Sequence, residues 1–237
     1  MGEYVTPQLG FSLLYYALPA VAFVITGFAQ LLIKTTYSKY KQVNSVKRKR
    51  GCEVAREILD KHGLKKVKVE QVAGNLTDHY DPKAKVVRLS DDIYDGTSIA
   101  SVSVAAHECG HAIQDKVGYV PMRIRSALVP VVNFSTKIGY LVIMIGLTAG
   151  LLKIALVGII LLLSMLLFQL VTLPVEFDAS RRGKKELNEL HILNSSEQKG
   201  SAKMLYAAAF TYVASVLSTL LEIFRLVLMA LARRDDR

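Results

Sequence analysis

Five consecutive residues, His107, Glu108, Cys109, Gly110 and His111, carry the strongest chemical signal in this 237-residue chain. The stretch 98–114 is rich in small and apolar residues and has no proline, which predicts a helix. Two histidines four apart on a helix lie on one face, one turn apart. That spacing lets both imidazoles reach one Zn²⁺ at about 2.0–2.1 Å. The glutamate directly after the first histidine can then take a proton from a water that the metal activates. The pattern points to metal-assisted hydrolysis, with His107 and His111 as ligands and Glu108 as the general base.

A catalytic zinc usually has three protein ligands and one open position. The third-histidine extension of metzincins is excluded, because Val117 stands six residues after His111. Asp115 lies about 12 Å along the helix axis from His107, too far for a short side chain to share the metal. It is expected to be solvated or ion-paired. Glu176, Asp178 and His191 are the downstream candidates. Asp178 is suited to orient a ligand histidine through its second ring nitrogen, or to pair with Arg182 at i+4. His191 would sit roughly 22 Å beyond Glu176 on a continuing helix and would need a chain reversal to return. Glu176 follows Pro174, a residue favoured near a helix start. The argument that favours Glu176 comes from the membrane segments.

Residues 11–33 contain no charge over 23 positions, and Tyr15 and Tyr16 stand near their start. A span needs about 20 apolar residues, so this segment predicts a transmembrane helix. It does not read as a cleaved signal peptide, since the residues before it are acidic rather than basic and the apolar run is too long. Residues 129–173 carry only Lys137 and Lys153 over 45 positions, which predicts a hairpin of two spans broken near Gly150, Leu151, Leu152 and Lys153. Such a hairpin returns the chain to its starting side, so Glu176 and the motif helix share one membrane face. Residues 205–232 form a fourth apolar run, interrupted by Glu222 and Arg225, which can pair on one helix face. The alternative for this run is an amphipathic helix lying on the surface.

Basic residues set the orientation. Seven lie between Lys34 and Arg50, and Arg181, Arg182, Lys184 and Lys185 follow the third span. Residues 34–128 and 174–204 hold 24 of the 30 lysines and arginines. Both regions are therefore expected on the cytoplasmic face of a multi-pass cell-membrane protein. Arg233, Arg234 and Arg237 oppose a four-span arrangement mildly. A net charge of +10 would otherwise suggest nucleic acid, but the apolar runs are long and no nucleic-acid motif occurs. Cys52 and Cys109 make neither a disulfide framework nor a thiolate zinc site.

The polar region between the spans predicts a short amphipathic helix at 52–61, stopped by Gly63. A strand is expected at 67–72, and 75–80 and 85–89 flank the turn Asp81-Pro82-Lys83. Together they predict a small antiparallel unit before the motif helix. Ser98 stands ready as that helix's N-cap. The domain expectation is 1–33 first span, 34–128 catalytic region, 129–173 hairpin, 174–204 third-ligand segment and basic linker, and 205–237 last helix and tail. The fold class is mainly α, a polytopic membrane protein of about four helices with a small α+β catalytic region.

These blocks resemble the YugP-like neutral zinc metallopeptidases of bacterial membranes. The matching pieces are His79-Tyr80-Asp81-Pro82, Val86-Val87-Arg88-Leu89-Ser90, the run from Val104 to Gln114, the run from Leu173 to Ser180, and Thr211-Tyr212-Val213-Ala214. More distantly the chain is similar to the HtpX-like and CAAX prenyl proteases, whose third ligand is a glutamate followed four residues later by an aspartate. Here that place holds Ser180, and Asp178 stands at plus two, so either is a candidate to support a ligand histidine. The resemblance implies a gluzincin-like zinc endopeptidase acting on peptide or protein substrates. Tyr212 and His79 are candidate donors to the oxyanion. Competing expectations are a non-catalytic zinc-bearing scaffold, a site-2-type intramembrane protease and a transporter. An intact Glu108 argues against the first, charges at both ends of the motif helix against the second, and the scarcity of polar groups within the spans against the third.

Overall fold

The computed structural model describes residues 7–235, with side chains described for residues 14–230. Arg233 and Arg234 therefore lie outside the described side chains, and Arg237 outside the described residues altogether. Seven helices and three strands follow in the order α1 (Pro7–Lys41), α2 (Gly51–Lys61), β1 (Lys68–Val72), β2 (His79–Asp81), β3 (Val86–Ser90), α3 (Asp91–Tyr94), α4 (Ile99–Lys116), α5 (Val120–Thr148), α6 (Leu152–Glu189) and α7 (Ser195–Asp235). Four of them, α1, α5, α6 and α7, are long and apolar enough to cross a membrane. The chain divides into two units. One comprises the chain up to Gln30, Arg125–Val171 and the chain from Thr211; the other comprises Leu31–Ile124 and Thr172–Phe210.

The first unit is helical and small residues bring its helices close. A β-carbon on Gly146 of α5 would lie 2.3 Å from the backbone nitrogen of Ala155 on α6. One on Gly158 would lie 2.7 Å from the carbonyl of Gly139. Such contacts are how helices associate in lipid, where the hydrophobic effect gives no drive between them. Gly150, in the left-handed region (φ 67°), ends α5 where the hairpin break was expected. Ile143, Leu147, Ile159 and Leu162 pack with Leu226, while Phe23, Val24 and Ile160 stay more than 60% exposed, as lipid-facing residues would be. Arg225 donates to Glu222 at 2.6 and 2.9 Å and to the Tyr15 hydroxyl at 3.2 Å. Glu222 and Arg225 are therefore paired with each other, which lowers the cost of holding them in lipid.

The second unit carries the motif helix at its centre. Val54, Ala55, Ile58 and Leu59, the apolar face of α2, are buried in one core with Val102, Ala105, Ala106 and Cys109 of α4 and Val87 and Leu89 of β3. Gly51 permits this packing, since a β-carbon there would lie 2.1 Å from the carbonyl of Ile93. Ser98 caps α4 as expected, its hydroxyl accepting from the Ser101 backbone N–H at 3.1 Å. The Asp81 carboxylate closes the hairpin turn by accepting from the N–H groups of Lys83 and Ala84 at 2.9 and 3.0 Å.

Two expectations need correction. The sheet is mixed, in the order β1-β3-β2. β2 and β3 form the antiparallel hairpin, but β1 pairs parallel to β3, Lys68 opposite Val86 through Val72 opposite Ser90. Hydrophobic alternation is the same for either direction, so it could not distinguish them. Pro174 does not start a helix but lies inside α6. Its missing N–H costs one backbone bond, which a long helix continuing from an apolar run tolerates.

Candidate metal centre

The structure brings His107, His111 and Glu176 together. One ligand atom from each lies within 4.8 Å of the others. Nε2 of His107 is 3.3 Å and Nε2 of His111 is 3.7 Å from Oε2 of Glu176. Donors held tetrahedrally about 2.0–2.1 Å from one Zn²⁺ are about 3.3–3.4 Å apart, so the spacing suits that ion. Two imidazoles and one carboxylate are also a common catalytic zinc set. The rings are edge to face, with centroids 4.8 Å apart.

Close contact between α4 and α6 puts Glu176 there. A β-carbon on Gly110 would lie 2.4 Å from the carbonyl of Ala179, and one on Gly183 would lie 2.7 Å from the carbonyl of Ala106. These two glycines, one from each helix, let the backbones touch. Glu176 is then carried against the face that bears both histidines. At 3% exposed it is nearly sealed from water.

Each ring is fixed from behind. Nδ1 of His107 lies 3.1 Å from the Ser180 hydroxyl, and Nδ1 of His111 lies 3.0 Å from Oε1 of Gln114. The Gln114 amide has its NH₂ committed, donating to the carbonyl of Val175 at 2.7 Å and to Asp178 at 3.0 Å. Only its oxygen can face His111. That ring must therefore carry its proton on Nδ1, leaving Nε2 free for a metal. Asp178 in turn accepts from Nε of Arg182 at 2.5 Å and from Arg181. Burial favours the neutral form of His111, but the hydrogen bond and charge of Glu176 outweigh it and raise its pKa. The three side chains thus favour a positive charge between them, the kind of charge a bound cation would bring.

Glu108 is 7% exposed, and its charge acts on His111 in the same sense as that of Glu176. Asp115 stays clear of the group. It accepts from the Tyr80 hydroxyl at 2.7 Å and from Lys85, and so ties the β-hairpin to α4. Burial, reinforced by that bond, pushes the Tyr80 hydroxyl far up, so it remains a donor. Asp178 reaches His111 only indirectly, through Gln114. His191 sits in the left-handed turn after α6 (φ 51°), exposed and outside the group. His79 is exposed on β2, with Nδ1 2.7 Å from the carbonyl of Thr77. Tyr212 falls in the first unit. Both cysteines are free, and burial pushes the Cys109 thiol far up.

Sequence reasoning missed Gln114. Its signal was available: it stands three residues after His111 and seven after His107, on the same helix face.

Comparisons with known proteins place these residues in a family. Residues 15–231 match the family described as "Putative neutral zinc metallopeptidase". The chain is 42% identical over 224 residues to "Putative membrane protease YugP" of Bacillus subtilis (strain 168), covering 94% of this chain and 100% of that protein. No solved structure matches.

Proposed function

The chain belongs to the neutral zinc metallopeptidase family, and from that premise we propose that it is a zinc-dependent membrane endopeptidase of gluzincin-like design. The observation that carries the proposal is the convergence of His107, His111 and Glu176, with Glu108 beside the first histidine on the same helix. Zinc bound there supplies a Lewis acid for the scissile carbonyl and lowers the pKa of a water toward about 7. Glu108 accepts the proton of the attacking water and delivers it to the leaving amine. Ser180 and Gln114 hold the two imidazoles so that both Nε2 atoms face inward. β2 is an edge of the sheet, and its backbone offers an extended peptide a strand to pair with. The positive charges of 34–50 and 181–185 support an active site on the cytoplasmic face of a multi-pass cell-membrane protein.

The test is cleavage of casein by the purified protein in detergent. Activity should vanish on chelation and return with Zn²⁺. Stoichiometric zinc without any cleavage would instead support a structural metal.

A further inference from the structure

Beside the metal group, α6 and α7 leave between them a cavity of about 360 Å³. Its apolar lining comes from Phe177 of α6 and Leu205, Tyr206 and Ala209 of α7. Phe177 and Tyr206 are 41% and 64% exposed, so two aromatic faces stand open to an occupant. Further along α6, Arg181 and Lys184 add two cations, and none of the lining residues is acidic. Arg181 donates to Asp178, yet its side chain is 76% exposed. Lys184 is exposed and forms no ion pair among the described residues.

One wall residue joins this cavity to the chemistry. Ser180 lines the cavity, and its hydroxyl is the group 3.1 Å from Nδ1 of His107. The cavity thus abuts His107 on the Nδ1 side of its ring, with the Ser180 side chain between them. A peptide advances only about 3.3–3.6 Å per residue, so an occupant of the cavity belongs to a residue close to the scissile bond.

We propose that this cavity is a specificity pocket of the peptidase site, taking a bulky apolar side chain whose neighbouring residue carries a carboxylate. The inference rests on the endopeptidase reading above. The volume is at the small end of ligand sites, about 300–1,000 Å³, which suits one large side chain and its flanking backbone. Phe177, Leu205, Tyr206 and Ala209 reward removal of apolar surface from water. Arg181 and Lys184 attract a carboxylate and repel a lysine at the same place.

Four dye-labelled ten-residue peptides test it, identical except for a central phenylalanine–glutamate, phenylalanine–lysine, alanine–glutamate or alanine–lysine pair. Binding is read by fluorescence anisotropy on the full-length, zinc-loaded Glu108→Gln protein in detergent, and cleavage on the zinc-loaded wild type. The phenylalanine–glutamate peptide should bind about tenfold or more tighter than either singly changed peptide. Ala202→Phe, which fills the cavity, should abolish the preference for phenylalanine. Lys184→Glu, at an exposed position, should abolish or invert the preference for glutamate, with circular dichroism confirming the fold. Equal binding of all four peptides, or preferences untouched by both variants, would overturn the pocket. So would displacement of the peptides by short-chain phosphatidylglycerol with no discrimination among them, which would mark the cavity as a lipid site. Cleavage without discrimination leaves the endopeptidase reading standing and removes the pocket. Discrimination without cleavage keeps a peptide-binding cavity but overturns the endopeptidase reading, and with it the pocket's role in specificity of cleavage.

Discussion

Replacing Gly110 by alanine should dismantle the metal centre without touching a ligand. The new β-carbon would lie 2.4 Å from the carbonyl of Ala179, about 1 Å short of ordinary contact at 3.4 Å. That carbonyl belongs to helix backbone and cannot swing aside, so α6 must move away by about that distance. Glu176 is one turn earlier on the same helix and moves with it. Its Oε2, now 3.3 Å from Nε2 of His107, would be displaced by far more than the roughly 0.2 Å a zinc bond tolerates. Loss of an outer partner of a metal ligand alone costs about 10- to 100-fold in metal affinity, so displacing Glu176 itself should lower zinc affinity by about 100-fold or more. Gly183→Ala makes a milder clash, at 2.7 Å from the carbonyl of Ala106, and should cost about tenfold. Gly27→Ala is the control. Beyond its chain neighbours and its own helix backbone, no atom lies within 4 Å of its β-carbon, and zinc affinity should not change. The assay is competition for zinc with a chromophoric chelator, in detergent, with far-ultraviolet circular dichroism confirming that the helices persist. Wild-type zinc affinity in a folded Gly110→Ala protein would refute the idea that helix contact places Glu176.

Other expectations follow from the same geometry. Gln114→Leu should lower zinc affinity about 10- to 100-fold, because the His111 tautomer is no longer fixed; unchanged zinc affinity in a folded Gln114→Leu protein would remove the tautomer argument. Single cysteines placed at positions 47, 153 and 184, after removal of Cys52 and Cys109, report topology. A membrane-impermeant thiol reagent on intact cells should spare 47 and 184; labelling of both would invert the orientation, and labelling of one alone would break the shared face. Tyr80→Phe removes the 2.7 Å bond to Asp115 and should destabilise the hairpin's attachment to α4 by about 1 kcal/mol, seen as a lower thermal midpoint with zinc stoichiometry retained.

The helices were legible because their signals are local and long. Long apolar runs with few charges gave the four helices long enough to cross a membrane, and Ser98, Gly63 and Gly150 marked ends that the backbone then used. The parallel pairing of β1 with β3 was not legible, because strand direction depends on where the intervening chain is carried. Pro174 misled for a related reason, since the local signal for a helix start yields to a helix already running through it. At the site, the histidine spacing was explicit in the sequence. The roles of Gln114, Ser180, Gly110 and Gly183 were not, because each is defined by what another helix presents. Topology was the main argument for Glu176, as a carboxylate that follows a returning hairpin, with Asp178 and His191 kept as alternatives.

The central claim is that Glu108 is a base beside a zinc held by His107, His111 and Glu176. Its most direct test is zinc content and casein cleavage measured together on wild type, Glu108→Gln and Glu176→Ala. The account predicts about one zinc per chain in the first two, cleavage in the wild type alone, and little zinc in the third. Cleavage at the wild-type rate by zinc-loaded Glu108→Gln, or stoichiometric zinc in Glu176→Ala, would contradict it.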